Sequence, residues 1–267
     1  MISFAHAFGF SSEPFAQEVP LDKLFPLPGL DALLQRFDYA LHTHLVTVIT
    51  GEVGSGKSTS LRYAQSRLHP SQYRILSLIA TTGTMLELLR QICLELGAPA
   101  TLFSAARLFK TVRDALQDIR ATKQIPVLLI DEAHLMRLDV FAQLHTLTQF
   151  HFDSASLMPI VLSGQLSLID RLLYHTSRPF ASRIVGRSHL EALQLDHMRH
   201  YLAHHLSIAG GKPSLLSEEA VLAIHQSSGG LLRRANNLAR GALLAAALEQ
   251  CPTVSAEHVR IASTEIL

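Results

Sequence analysis

Eight consecutive residues, Gly51-Glu52-Val53-Gly54-Ser55-Gly56-Lys57-Ser58, satisfy the spacing G-x-x-x-x-G-K-[ST]. Glycines so placed let the backbone curl until successive N–H groups face one anion, and a helix opening at Lys57 adds its positive end. In that chemistry Lys57 reaches the β- and γ-phosphates of a nucleotide such as ATP, the Ser58 hydroxyl sits on Mg²⁺, and Thr59 continues the cradle. A second group lies downstream, where the apolar run Val127-Leu128-Leu129-Ile130 ends in Asp131-Glu132. Asp131 is placed to enter the Mg²⁺ shell and Glu132 to polarise an attacking water. A third run, Pro159 to Gln165, ends in Ser163 and Gln165, either of which could hydrogen-bond a γ-phosphate or that water.

These groups need strands that deliver them to one edge. Leu45 to Ile49 is a β-branched, apolar run directly ahead of the glycines, so the order strand, loop, helix (Ser58 to Leu68) is the required one. Tyr73 to Ile79 reads as a second strand and Val127 to Ile130 as a third, buried on both faces; the Pro159 run reads as a fourth. Between them fall helices from the cap Thr81-Thr82-Gly83-Thr84 to Leu96, from Ser104 to Ala121, and from Arg137 to Phe150. Strands alternating with helices predict an α/β doubly wound parallel sheet with its ligand at the strands' C-terminal ends.

The flanks differ from this middle. Residues 1–28 carry Phe4, Phe8, Phe10, Phe15 and Phe25 among four prolines and read as an extended lead-in pinned by its rings to the domain that follows, with a helix from Gly29 to Leu41 next. Residues 171–187 hold four arginines, of which Arg171 and Arg178 read as a solvated helix face. Past residue 195 only helices are expected: Asp196–Ile208, Ser217–Gln226, Leu231–Leu248 and Ser255–Ile266. The predicted domains are thus a lead-in (1–28), an α/β nucleotide-binding domain (29–195) and a helical lid (196–267).

A net charge of +1 announces no polybasic tail, so any nucleic-acid surface must be local. Cys93 and Cys251 form no C-x-x-C pair and read as reduced thiols. No run reaches the roughly 18 apolar residues of a membrane span, and a cytoplasmic protein without membrane contact is expected. His200 and His204 have the i, i+4 spacing of a metal pair, but no third ligand completes a shell, so solvated or packing histidines are expected.

The strand and loop, Asp131-Glu132, the polar strand end and the all-helical tail together resemble AAA+ ATPases over nearly the whole chain. The lead-in Phe8-Gly9-Phe10, the IDEAH element, the block QLHTLTQFHFDSASLMPIVLSGQ and GGLLRRANNLARGALLAA look like the ExeA-like group. Within it the chain is most similar to transposition regulators of the TnsC, TniB and Mu B type. The resemblance implies Lys57 and Ser58 as Walker A, Asp131 and Glu132 as Walker B, and Gln165 as the sensor. It implies Arg183, with Arg187 in reserve, as a finger reaching a neighbouring subunit's ATP. It also makes Arg233 the lid sensor, although many relatives have proline where Leu232 stands, so that Arg234 remains the alternative. Contacts to double-stranded DNA would come from Thr81, Thr82, Lys110 and Arg137.

What the resemblance implies is an ATP-dependent switch. A homo-oligomeric ring or filament would form on duplex DNA, recruit a DDE transposase, work with a target-selecting DNA-binding protein, and be dismantled by hydrolysis. Two other readings stand beside it: an ExeA-type secretion or cell-envelope ATPase, and an initiator-like scaffold that binds ATP without hydrolysing it. Envelope relatives carry a membrane span after the ATPase core, and a chain closing at Leu267 is expected on the transposition side.

Overall fold

The computed structural model describes residues 7–101, 104–150 and 156–265. Phe4, Ile266 and the HFDSA part (151–155) of the block QLHTLTQFHFDSASLMPIVLSGQ lie outside them. The chain forms two compact units. Residues 29–51 and 57–190 make one; residues 1–28, 52–56 and 191–267 make the other.

The first unit is α/β. Its elements are α1 (Leu30–Thr43), β1 (Val46–Gly51), α2 (Lys57–Ser66), β2 (Tyr73–Ile79), α3 (Met85–Leu96) and α4 (Ala105–Ala121). They continue with β3 (Ile125–Asp131), α5 (Leu138–Leu144), β4 (Ile160–Gly164), α6 (Ser167–Leu173), α7 (Arg178–Ala181) and β5 (Ile184–Leu190). All pairings are parallel and the strand order is β2-β3-β4-β1-β5, so β1 lies inside the sheet with β4 between it and β3.

Period-two side-chain alternation makes both faces of the sheet apolar. On one face Val46, Val48, Leu128, Ile130, Ile160 and Leu162 pack with residues of α3 to α7. On the other, Ile49, Val127, Leu129 and Val161 pack with Leu33, Phe37 and Leu41 of α1 and Leu61 and Ala64 of α2. Each such side chain, fully withdrawn from water, contributes roughly 2 kcal/mol of transfer free energy. Helix α1 reaches the sheet closely at β5, where a Cβ on Gly186 would lie 2.9 Å from the Cβ of Arg36.

Two expectations are corrected in this unit. Arg137–Phe150 is not one helix: α5 ends at Leu144 and a 3-10 turn, His145–Leu147, follows. The Thr146 and Thr148 hydroxyls donate to the carbonyls of Gln143 (2.6 Å) and His145 (2.8 Å), competition that tightens and ends helices. Arg171 is not on a solvated face either: it is half-buried on α6, its guanidinium donating to the Met136 carbonyl at 2.9 Å, whereas Arg178 is exposed on α7 as expected.

The second unit is helical: α8 (Leu195–Ile208), α9 (Glu218–Ser228), α10 (Leu232–Leu248) and α11 (Ala256–Glu265). Alanines along α10 (Ala235, Ala239, Ala242, Ala246) are fully buried and let neighbouring helices approach. The lead-in, expected on the α/β domain that follows it, clusters with this unit instead, because its rings pack among the helices here. Phe15 stacks on His205 with ring centroids 5.4 Å apart, Phe25 meets Tyr201 edge-on at 5.6 Å, and Glu13 pairs with Arg240 at 2.6 Å. Of the histidines of α8, His197 and His200 are exposed, His204 bonds the Lys23 carbonyl at 2.8 Å, and His205 is 5% exposed.

Burial, helped by His204, pushes the His205 imidazole down to about 4, and its Nδ1 has no hydrogen-bond partner among the described residues. A depressed histidine binds its proton more weakly folded than unfolded. Its contribution is therefore complete above about 6.5 and is lost as pH falls from there toward about 4, a change on the order of 3 kcal/mol at most. Replacing His205 by phenylalanine removes this proton linkage. Thermal unfolding at about pH 7.5 and about pH 5 should show the wild-type midpoint dropping further than that of His205→Phe; equal drops would refute the assignment.

Candidate nucleotide site

The phosphate loop begins where β1 ends at Gly51, and α2 opens at Lys57. Gly54 (φ 84°) and Gly56 (φ 96°) occupy left-handed backbone that side chains rarely adopt. Space also excludes a side chain there. A Cβ on Gly54 would lie 2.8 Å from the Arg233 Cβ, and one on Gly56 would lie 2.8 Å from Leu27 and 3.1 Å from Leu232. Ser55 donates its N–H to the Glu52 carbonyl at 3.2 Å, while its hydroxyl is buried without a partner among the described residues. Glu52 and Val53 are exposed. The curled glycines and the orphaned Ser55 hydroxyl fit a phosphate group.

Lys57, in the first turn of α2, is buried, and its ammonium donates to the Gly51 carbonyl at 2.9 Å. Thr59 is exposed on the same turn. The Ser58 hydroxyl donates to Asp131 Oδ2 at 2.7 Å, and Asp131 Oδ1 accepts the Glu132 N–H at 2.9 Å. The Asp131 carboxylate is thereby held in one orientation. Adjacent oxygens of an octahedron with Mg–O bonds of 2.0–2.1 Å stand about 2.9 Å apart, so Ser58 and Asp131 fit two neighbouring corners of an Mg²⁺ shell.

Glu132 follows in left-handed backbone (φ 54°, ψ 29°), and the 3-10 turn Ala133–Leu135 carries the chain on. The Glu132 carboxylate lies 3.4 Å from His134 Nδ1. Gln165, half-buried just past β4, donates its N–H to the same nitrogen at 3.4 Å. Ser163, the other polar residue considered at that strand end, is fully buried within β4, its hydroxyl without a partner among the described residues. Sequence reasoning overlooked His134 and Gly164; the H of the IDEAH element and the glycine ahead of Gln165 were the available signals.

Arg183 is placed elsewhere. Its carbonyl accepts the N–H of Val46 at the start of β1, the sheet edge away from the phosphate loop, and Arg187 is exposed along β5. In the helical unit Arg233, not Arg234, is seated on the loop, with its N–H donating to the Gly54 carbonyl at 3.2 Å. Of the residues considered for DNA, Thr81 and Thr82 are exposed, and Thr81 shares a shallow cleft with Met136, the neighbour of Arg137. Lys110 pairs with Asp114 at 2.7 Å and Arg137 with Asp139 at 3.0 Å.

Glu249, Cys251 and His258 gather donor atoms within 4.8 Å of one another. His258 Nδ1, however, accepts the Ser255 N–H at 2.9 Å, so Nε2 carries the proton and donates to Glu249 at 3.0 Å. A metal-ligating histidine needs the opposite polarity, its second nitrogen donating outward. His258 instead closes the N-terminus of α11 on Ser255.

Comparison with known proteins agrees with this geometry. Residues 40–172 match the AAA domain family. The chain is 31% identical over 245 residues to General secretion pathway protein A of Aeromonas hydrophila, a match covering 91% of this chain and 45% of that protein. It therefore spans less than half the length of this curated relative. Among solved structures, Cdc6p of Pyrobaculum aerophilum superposes with a TM-score of 0.75 at 17% identity, covering 95% of this chain and 70% of that one. The Aeropyrum pernix ORC1 protein, solved in complex with DNA, superposes with a TM-score of 0.70 at 20% identity, covering 93% and 68%. No helix among the described residues is long and apolar enough to cross a membrane. Phosphate loop and parallel sheet are those of the AAA+ fold, and the chain is similar to the AAA domain family over residues 40–172 and to General secretion pathway protein A over 91% of its own length.

Proposed function

We propose that the chain is an ATP-hydrolysing AAA+ switch acting in an ExeA-type secretion or cell-envelope assembly. The observation that carries hydrolysis is the run of bonds from Ser58 through Asp131 to the Glu132 N–H. It sets a carboxylate of the right kind one residue beyond a pair of metal-type oxygens. Bound Mg²⁺ would neutralise phosphate charge. Lys57 turns from the Gly51 carbonyl to the phosphates, Glu132 takes the proton of the attacking water, and Gln165 positions that water. Arg183, remote from its own chain's loop, serves a neighbouring copy, so hydrolysis belongs to the oligomer. The secretion or envelope setting rests on the 31% relative, which spans nearly all of this chain.

A second reading keeps the same chemistry and places the oligomer, as ring or filament, on duplex DNA as a transposase helper. ORC1, whose structure was solved with DNA, shares the fold and supports the DNA contact of that reading, not the transposase. Thr81, Thr82, Lys110 and Arg137 would supply sequence-tolerant backbone contacts.

Glu132→Gln should lower kcat on the order of 10²- to 10⁴-fold while ATP affinity stays within about twofold, measured by phosphate release and equilibrium titration. Retained turnover would remove Glu132 as the base. Gly54→Ala should weaken ATP binding and destabilise the chain by about 1–2 kcal/mol, because alanine pays for left-handed backbone and meets Arg233. Binding to duplex DNA of unrelated sequence should be tested with ATP analogue and with ADP. Salt-sensitive assemblies confined to the ATP state support the second reading; no binding in either state ends it and leaves the ATPase intact.

A further inference from the structure

Three features of the chain meet at one imidazole. Glu132 is not glycine, yet it occupies left-handed backbone, a conformation that costs roughly 1–2 kcal/mol. That turn doubles the chain back and carries His134, 9% exposed, to within 3.4 Å of the Glu132 carboxylate. The second feature is Gly164, the last residue of β4. Its φ is not in the left-handed range, so backbone conformation does not demand glycine there. Space is tight: a Cβ would lie 3.0 Å from the His134 backbone nitrogen and 3.3 Å from both Nδ1 and the Leu168 side chain, so these neighbours would have to give way. The third is Gln165, whose N–H donates to the same Nδ1 at 3.4 Å.

Nδ1 can serve one of these partners at a time. With its proton on Nε2, the neutral ring accepts from the Gln165 N–H and offers Glu132 nothing. With its proton on Nδ1, it donates to the Glu132 carboxylate and releases Gln165. Both separations are 3.4 Å, long for hydrogen bonds.

We infer that His134 is a positioning residue that ties the base Glu132 to the end of β4, exchanging one hydrogen bond for the other. Drawing Gln165 off Nδ1 frees that nitrogen to align Glu132, so a displacement at the strand end becomes alignment of the carboxylate. The inference rests on the reading of Glu132 as the base of ATP hydrolysis.

The test compares phosphate release, ATP affinity and thermal midpoint for wild type, His134→Leu, His134→Asn and Gly164→Ala. Asparagine offers a polar atom near the position of Nδ1 and should keep kcat within about threefold. His134→Leu should lower kcat about tenfold or more with ATP affinity and midpoint held. Gly164→Ala, by pushing the ring away, should do the same. In the Glu132→Gln background His134→Leu should add no further loss, the non-additivity of two groups acting as a unit. Unchanged turnover in His134→Leu overturns the inference alone. So does a loss of midpoint and affinity together, which marks a packing role. A wild-type chain without turnover overturns the hydrolysis reading, and this inference with it.

Discussion

The 2.7 Å hydrogen bond from Ser58 to Asp131 is the constraint on which the site depends. Its partners come from the helix after β1 and from the end of β3, with β4 between those strands. The bond can form only if the sheet has this order, if all three strands run the same way, and if they stop at the same level. Register enforces that level: Thr50 stands opposite Gly164, and β3 and β4 are paired through Ile130 and Leu162. The apolar packing on both faces of the sheet therefore acts at the site by fixing where a hydroxyl and a carboxylate end up. A slip of one residue would turn every strand side chain to the opposite face and carry Asp131 away from Ser58.

The glycines of the phosphate loop answer to more than a ligand. Residues 52–56 cluster with the helical unit, and the space a side chain would need at Gly54 and Gly56 is taken by Arg233, Leu232 and Leu27. Leu27 comes from the lead-in and the other two from the first turn of α10, so the loop's curvature is also a packing requirement. The lead-in is itself held on that unit by Phe15, Phe25 and the Glu13–Arg240 pair. A segment without periodicity is thereby ordered by a few rings and one ion pair.

Much of the fold was legible because the signals were local. Strand β2 was read to the residue, and the bounds of α3, α4 and α10 came within a residue or two, since apolar periodicity and caps such as Thr84 with Glu87 are written in adjacent positions. Strand β5 was missed. Its burial alternates (Gly186, Ser188 and Leu190 in, Arg187 and His189 out), but with glycine and serine on the buried side the period-two signal carried little apolar contrast. The end of α5 was missed because threonine hydroxyls, not a glycine or proline, closed the helix.

The sequence by itself determined which atoms could do phosphate and metal chemistry, because the glycine spacing, Lys57, Ser58 and the acidic pair after an apolar strand are short-range patterns with one mechanical purpose. Tertiary structure decided what depends on chain segments far apart in sequence. It set Arg233 rather than Arg234 against Gly54, buried Ser163 and left Gln165 at the edge. It brought His134 between Glu132 and the end of β4. Such choices follow from which backbones pack within a few ångströms of each other, and no run of adjacent residues encodes that distance.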